Sequence, residues 1–213
     1  MRTGAIILCG GRSTRMGRDK ATLPFGPETM LERMVRIVGS VVDPARIVVV
    51  AAPGQSLPAL PSGVRIVRDR TPDCGPLEGL ATGLAALQGL ADSVFATSCD
   101  SPLLVPAFVT AMLDRLAGGD WLIAAPQRAE YAHPLAAAYR PEVLPQVETR
   151  LAADRRSLQG LLDSVPTLRV PLAELRGADP ALASLQNINT PEAYDEALLA
   201  VGFTAVSDSL RGT

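Results

Sequence analysis

Ile6-Ile7-Leu8-Cys9, four apolar residues in a row, empties without a break into Gly10-Gly11 and a basic segment ending at Asp19-Lys20. An uninterrupted apolar run predicts a strand buried on both faces, as in a parallel sheet covered by helices. Ligands of such sheets bind beyond the carboxyl ends of the strands, and the glycines stand at that end. The rest of the chain repeats the rhythm. Strand patterns over 4–9, 46–51, 64–67, 93–98 and 121–125 alternate with helical patterns over 30–42, 76–90 and 106–116. That βαβ order predicts a mainly parallel, Rossmann-like sheet with right-handed crossovers, in an α/β three-layer α/β/α sandwich.

Past Pro126 the pattern is less regular, with strands expected over 135–139 and 168–171 and helices over 141–153 and 157–162. Thr190-Pro191-Glu192 reads as an N-cap, a proline at the first helical position and an early acid, opening a last helix through about residue 199. No repeat or low-complexity linker divides the chain. We expect a single domain over 1–203, its part to about 125 binding nucleotide and the remainder the acceptor, with a frayed tail over 204–213.

The first loop has the chemistry of an anion site. Gly10, Gly11 and Gly17 allow close approach of backbone N–H groups to phosphate oxygens, and Arg12, Arg15, Arg18 and Lys20 set four positive charges within nine residues. It is not a Walker A loop: five residues separate Gly11 from Gly17, and Arg18 follows where that motif has Lys-Ser or Lys-Thr. Nor is it the G-x-G-x-x-G dinucleotide turn. The charges are local, since 20 basic and 22 acidic side chains nearly balance and give no global field for nucleic acid or an anionic membrane. With no long apolar run and no signal-like N-terminus, we expect a soluble cytoplasmic protein. Cys9, Cys74 and Cys99 lack the spacing of a zinc site, and Cys9 and Cys99, each ending an apolar run, read as small buried residues. The only histidine, His133, has no placeable partner for a general-base role.

Leu8-Cys9-Gly10-Gly11, Ser13, Arg15-Met16-Gly17 and Asp19-Lys20 together resemble the N-terminal signature of the MobA-like nucleotidyltransferases. Gly75-Pro76-Leu77-Glu78-Gly79, Cys99-Asp100-Ser101-Pro102 and Asn187-Ile188-Asn189-Thr190-Pro191-Glu192 follow in the family's order. The resemblance implies the nucleotide-diphospho-sugar transferase type of sheet. It implies transfer of GMP from GTP to the terminal phosphate of Mo-molybdopterin, with release of pyrophosphate, a requirement for Mg2+, and transient contacts with cofactor delivery or acceptor proteins. A cytidylyltransferase for the same acceptor, another small-molecule NTP transferase and a non-catalytic nucleotide-binding protein are the alternatives. Two departures stand out: Cys9 where the family usually has alanine, and Ala51-Ala52-Pro53 where some members have an asparagine that helps hold the nucleotide.

On this reading the nucleotide is bound by Leu8, Cys9, Gly10, Gly11, Lys20, Asp69, Gly75, Gly79 and Asp100. Asp100, expected to project from the carboxyl edge of the sheet, is the metal ligand, since Mg2+ needs few protein carboxylates and takes its other ligands from phosphate and water. Arg15, Lys20 and Asp100 are the catalytic residues; charge neutralisation at the α-phosphate is the main requirement, and the ionised acceptor needs no protein base. An acid near a triphosphate is unfavourable by charge, so Asp69 is assigned to guanine, ribose or a basic side chain. Asn187 and Asn189, two apart on an extended segment, point the same way and are assigned to the acceptor. Arg140, Arg155, Arg156 and Arg169 are further cations that the sequence does not rank.

Overall fold

The computed structural model describes residues 1–10, 19–69 and 75–204. Gly11 to Arg18, Arg70 to Cys74 and Ala205 to Thr213, and with them Gly11 and Arg15 of the expected site and nearly all of the expected tail, lie outside the described residues.

The apolar run of the first strand, β1 (Thr3–Leu8), is central because it pairs in parallel on both sides, with β4 (Ile47–Ala51) and with β6 (Ser93–Ser98). Beyond β4 lies the edge strand β5 (Arg65–Arg68), and beyond β6 come β9 (Ala136–Tyr139), β7 (Ile123–Arg128) and β10 (Thr167–Pro171). The short β8 (Tyr131–Ala132) pairs with β7, and β2 (Pro24–Phe25) and β3 (Glu28–Thr29) form a separate hairpin. This is a mixed α/β sheet, mainly parallel. Ala5, Ile7 and Cys9 face a core built with α1 (Met30–Gly39) and α3 (Pro106–Ala117), whereas Ile6 and Leu8 face α2 (Pro76–Leu87), α4 (Leu144–Ala152) and α5 (Leu158–Ser164). Alternate side chains of one strand thus fill two helix layers, as a strand covered on both faces requires. The short α6 (Leu172–Leu175) adds Leu175 to the first layer.

Most boundaries depart from the sequence reading by one to three residues, each for a local reason. The first helix stops at Gly39 rather than 42, and the second at Leu87 because Gln88 is extended and Gly89 has φ +74°. The segment 141–153 starts as a 3-10 turn, Pro141–Val143, before α4 begins. The strand pattern leaves direction open at one place: β9 is antiparallel to both β6 and β7. Only seven residues join Arg128 to Ala136, too few for a parallel crossover, which needs about a dozen. The last helix, α7 (Pro191–Ala200), opens as expected, with the Thr190 side chain accepting from Ala193 N. It packs on the β2–β3 hairpin through Tyr194, Leu198 and Phe25.

Helix α2 lies tightly over β1, and Gly83 permits it: a Cβ there would come within 2.7–2.8 Å of three Ile6 side-chain atoms. Ile6 is β-branched and stiff at χ1, so it cannot yield cheaply. For Gly83→Ala the helix-propensity gain of about 1 kcal/mol is outweighed by overpacking of roughly 1–3 kcal/mol. We expect a net loss near 1 kcal/mol and a fall in Tm of about 2–4 °C, measured by thermal and urea unfolding.

Candidate active site

At the carboxyl end of β6 the chain turns through Cys99-Asp100-Ser101, and two distant segments, at Lys20 and at Asn187–Asn189, meet it there. The Asp100 carboxylate accepts from the Lys20 ammonium at 2.9 Å through Oδ2 and from the Ser98 hydroxyl at 2.5 Å through Oδ1. Lys20 also donates to Asn189 Oδ1 at 2.8 Å. The Ser101 hydroxyl donates to Asn187 Oδ1 at 3.0 Å, and Ile188 N donates to the Asp100 carbonyl at 2.8 Å. The ion pair is mostly shielded, with side-chain exposures of 15% for Lys20 and 18% for Asp100. In that setting attraction between the charges is stronger than at an open surface.

Local structure explains the convergence. Lys20 opens a 3-10 turn, Lys20–Thr22, that Asp19 caps and Ala21 buries. Extended backbone around Ile188 puts that residue into the core beneath α7 and leaves Asn187 and Asn189 on the outer side. The two asparagines therefore do point the same way, and they face the Asp100 turn. The connection leading to them is fixed from within: buried Asp179 accepts from Ser184 N at 2.8 Å, and the Ser184 hydroxyl accepts from Val105 N at 3.1 Å.

A second group gathers on the opposite side of β1. A Cβ on Gly10 would meet Asp69 Oδ2 at 2.9 Å, and one on Gly79 would stand 3.1 Å from Leu8 Cδ2 and 3.5 Å from Asp69 Oδ1. Gly10 thus leaves room for the Asp69 carboxylate between the end of β1 and the first turn of α2, and Gly79 leaves room for Leu8 beside it. Gly75 has φ +78°, a left-handed conformation that favours glycine, and it opens α2 ahead of Pro76. Asp69 Oδ1 is buried and has no hydrogen-bond partner among the described residues. Desolvation, aided by nearby Glu78, pushes its carboxyl above the ordinary aspartate range. An acceptor buried without a donor is costly, and such groups mark places where a ligand can supply one.

Cys9 and Cys99 are buried at the ends of the adjacent strands β1 and β6, and a shared hydrogen bond with Cys99 together with burial pushes the Cys9 thiol well up. It is a neutral packing group rather than a nucleophile. The unranked arginines are largely engaged elsewhere. Arg140 donates to the Trp121, Leu116 and Gly119 carbonyls, Arg169 pairs with Asp163, and Arg156 pairs with Asp154.

Beyond Asn187 opens a cavity of about 280 Å3, lined among others by Pro76, Tyr131, His133, Ser157 and Gln159. Tyr131 and His133 stand edge to face, ring centres 5.2 Å apart. Burial and Arg128 push His133 below its ordinary value, so its ring is neutral at pH 7. Tyr139, buried in β9, donates to the Pro134 carbonyl at 2.7 Å and holds this wall. The sequence alone offers His133 no partner, because the β8 pairing that carries Tyr131 beside it has only a two-residue signature.

A family model described as MobA-like NTP transferase domain matches residues 5–170. The chain belongs to this family. A relative from Mycobacterium tuberculosis H37Rv, "Probable molybdenum cofactor guanylyltransferase", is 38% identical over 174 residues, which are 80% of this chain and 84% of that protein. Among solved structures, molybdopterin-guanine dinucleotide biosynthesis protein A from Archaeoglobus fulgidus shares the fold with TM-score 0.77 at 20% identity, over 94% of this chain and 98% of that one. A Mycobacterium tuberculosis protein crystallised in complex with manganese shares it with TM-score 0.55 at 17% identity, over 80% and 88%. The paired strand ends of this MobA-like chain, Gly10 beside Asp69 and Asp100 beside Lys20, thus lie within the matched segment.

The burial of Asp69 has a consequence for stability. Its folded-state carboxyl lies above the unfolded value, so the folded state holds the proton more tightly. Stability is therefore lost as pH rises from the unfolded towards the folded value, and the cost is complete above it. Asp69→Asn removes that cost. We expect a higher Tm than wild type at pH 7.5, with the gain vanishing near pH 4, about the ordinary aspartate value. Unfolding curves at the two pH values check this; equal Tm values at pH 7.5 would contradict it.

Proposed function

We propose that the protein is a molybdenum cofactor guanylyltransferase, which joins GMP from GTP to Mo-molybdopterin and releases pyrophosphate. The observation that carries this reading is the convergence of Lys20, Asp100 and Asn189 at the end of β6. On this reading the α- and β-phosphates of a nucleotide lying across the strand ends stand beside that cation and hard oxygen donor. The family and the names of its relatives support the reaction class.

In the reaction, an oxygen of the acceptor's terminal phosphate forms a bond to the α-phosphorus of GTP. The bond from that phosphorus to the oxygen bridging the β-phosphate breaks, and pyrophosphate leaves with the electron pair. Lys20 neutralises charge at the reacting phosphate, and because this charge is greatest in the transition state its main effect is on turnover. Asn189 orients Lys20 through the 2.8 Å contact, and Asn187 stands between the Asp100 turn and the cavity. We assign that cavity to the acceptor, with Tyr131 and His133 as its aromatic wall, and with the segment past about residue 125 supplying most of it.

Asp69 suits guanine. The guanine edge presents two adjacent N–H donors, N1–H and the 2-amino group, to which a carboxylate can offer its two oxygens. Cytosine and adenine present only an exocyclic amine flanked by an acceptor. Asp69 Oδ1, buried without a partner among the described residues, favours a base with donors to give.

The donor set also suits magnesium. Asp100 is a hard oxygen ligand whose Oδ2 already attracts a cation, the Lys20 ammonium, and Mg2+ bound through one carboxylate takes its remaining ligands from phosphate and water. When bound there it would supply charge neutralisation to the phosphates.

The direct test uses GTP labelled at the α-phosphate with Mo-molybdopterin and Mg2+. Label should enter a dinucleotide product from GTP, and preferred transfer from CTP would refute the reading. Asp100→Asn should lower turnover by at least about 100-fold while circular dichroism shows an intact fold. Lys20→Ala should lower kcat by a larger factor than it weakens GTP binding; a loss confined to binding would contradict the role given to Lys20.

A further inference from the structure

We propose that Gln55 is a positioning residue, whose side-chain amide ties Cys9 and Asp19 to one turn and thereby sets where Lys20 stands. The proposal rests on the nucleotide reading for its functional consequence, though not for its geometry.

Gln55 closes the turn after β4 on itself: its N–H donates to the Ala52 carbonyl at 3.2 Å, and its Oε1 accepts from Ala52 N at 2.9 Å. Gly54, at φ +73°, makes the turn possible. The other end of the amide, Nε2, donates to the Cys9 carbonyl at 3.1 Å and to the two Asp19 carboxylate oxygens at 2.8 and 3.0 Å. Arg68 secures the turn from outside by donating to the Ala52 carbonyl at 3.0 Å and the Gln55 carbonyl at 2.8 Å. Asp69 N donates to the Ala51 carbonyl at 3.0 Å.

Cys9 and Asp19 belong to the two described segments that border the glycine-basic stretch. Asp19 in turn caps the 3-10 turn at Lys20, accepting from Ala21 N at 2.9 Å. A continuous set of hydrogen bonds therefore runs from β5 through Gln55 and Asp19 to Ala21, in the 3-10 turn that begins at Lys20, the residue that pairs with Asp100. Only a primary amide can serve here, since it must donate to a carbonyl and a carboxylate at one end and accept at the other. Glutamate would set a second carboxylate against Asp19, and alanine would leave the Asp19 carboxylate and the Cys9 carbonyl without this donor. Gln55 touches neither base nor acceptor in our account, so it should act on triphosphate binding without changing base preference.

The test compares Gln55→Ala, Gln55→Glu and the double variant Gln55→Glu/Asp19→Asn, in which amide and carboxylate exchange places. Two readouts are taken on each full-length chain, with urea unfolding recorded alongside. Amide hydrogen exchange at Ala21 without ligand should quicken in Gln55→Ala and more so in Gln55→Glu, and slow again in the double variant. Equilibrium affinity for GTP and for CTP should fall by about tenfold in Gln55→Ala, with their ratio unchanged, fall further in Gln55→Glu, and recover in part in the double variant. General destabilisation would not produce that recovery. Wild-type exchange and affinity in both single variants, or a double variant no better than Gln55→Glu, would overturn the proposal. A wild-type chain that binds no triphosphate refutes the nucleotide reading instead, and the ligand-free exchange still decides whether Gln55 ties the two ends together.

Discussion

The parallel pairing of β1 on both sides is the constraint from which the site follows. Because β4 and β6 run in the same direction as β1, Cys9-Gly10, Ala51-Ala52 and Cys99-Asp100 all emerge at one edge of the sheet. β5 extends the edge by one strand and brings Asp69 with it. Burial of apolar side chains on both faces holds the strands in register, and a one-residue slip would exchange the two helix-facing sets. A packing requirement that has no chemistry of its own thus gathers carboxylates, glycines and a lysine from distant parts of the sequence.

What the packing gathers, electrostatics then arranges. Lys20 and Asp100 are sufficiently shielded for their pairing to orient both, with Asn189 accepting a further hydrogen bond from Lys20 and Ser98 donating one to Asp100. Asp69 is the contrary case, with a buried oxygen lacking a donor among the described residues and a carboxyl raised by desolvation. Functional sites commonly retain such unfavourable local features, because the ligand relieves them. The two carboxylates are therefore complementary in purpose: one is held ready with a cation, the other is left in want of donors.

The layers and most elements were legible in the sequence because they rest on local signals. Strand Ser93–Ser98 and the Thr190 cap of α7 stand where hydrophobic runs and capping chemistry put them. The antiparallel direction of β9 was legible in principle from the seven-residue connection, which excludes a crossover, though not from the strand pattern itself. Period-two geometry correctly placed Asn187 and Asn189 on one side, but which groups lay on that side depended on the tertiary path of 179–188. Gln55 was invisible, because a glutamine after Pro-Gly reads as loop and its partners are 36 and 46 residues away. The isolation of Asp69 was equally hidden, since the sequence that assigns it to the nucleotide carries no sign that one of its oxygens is buried without a donor among the described residues.

The most direct test of the account is the affinity of the protein for GTP compared with inosine triphosphate, which lacks only the 2-amino group of guanine, in wild type and in Asp69→Asn. If Asp69 receives the guanine donors, wild type should bind GTP about tenfold more tightly than inosine triphosphate, and the difference should largely disappear in the variant. Equal affinities in wild type, or a difference that Asp69→Asn leaves intact, would contradict the guanine role of Asp69 and with it the structural basis offered here for guanylyl transfer.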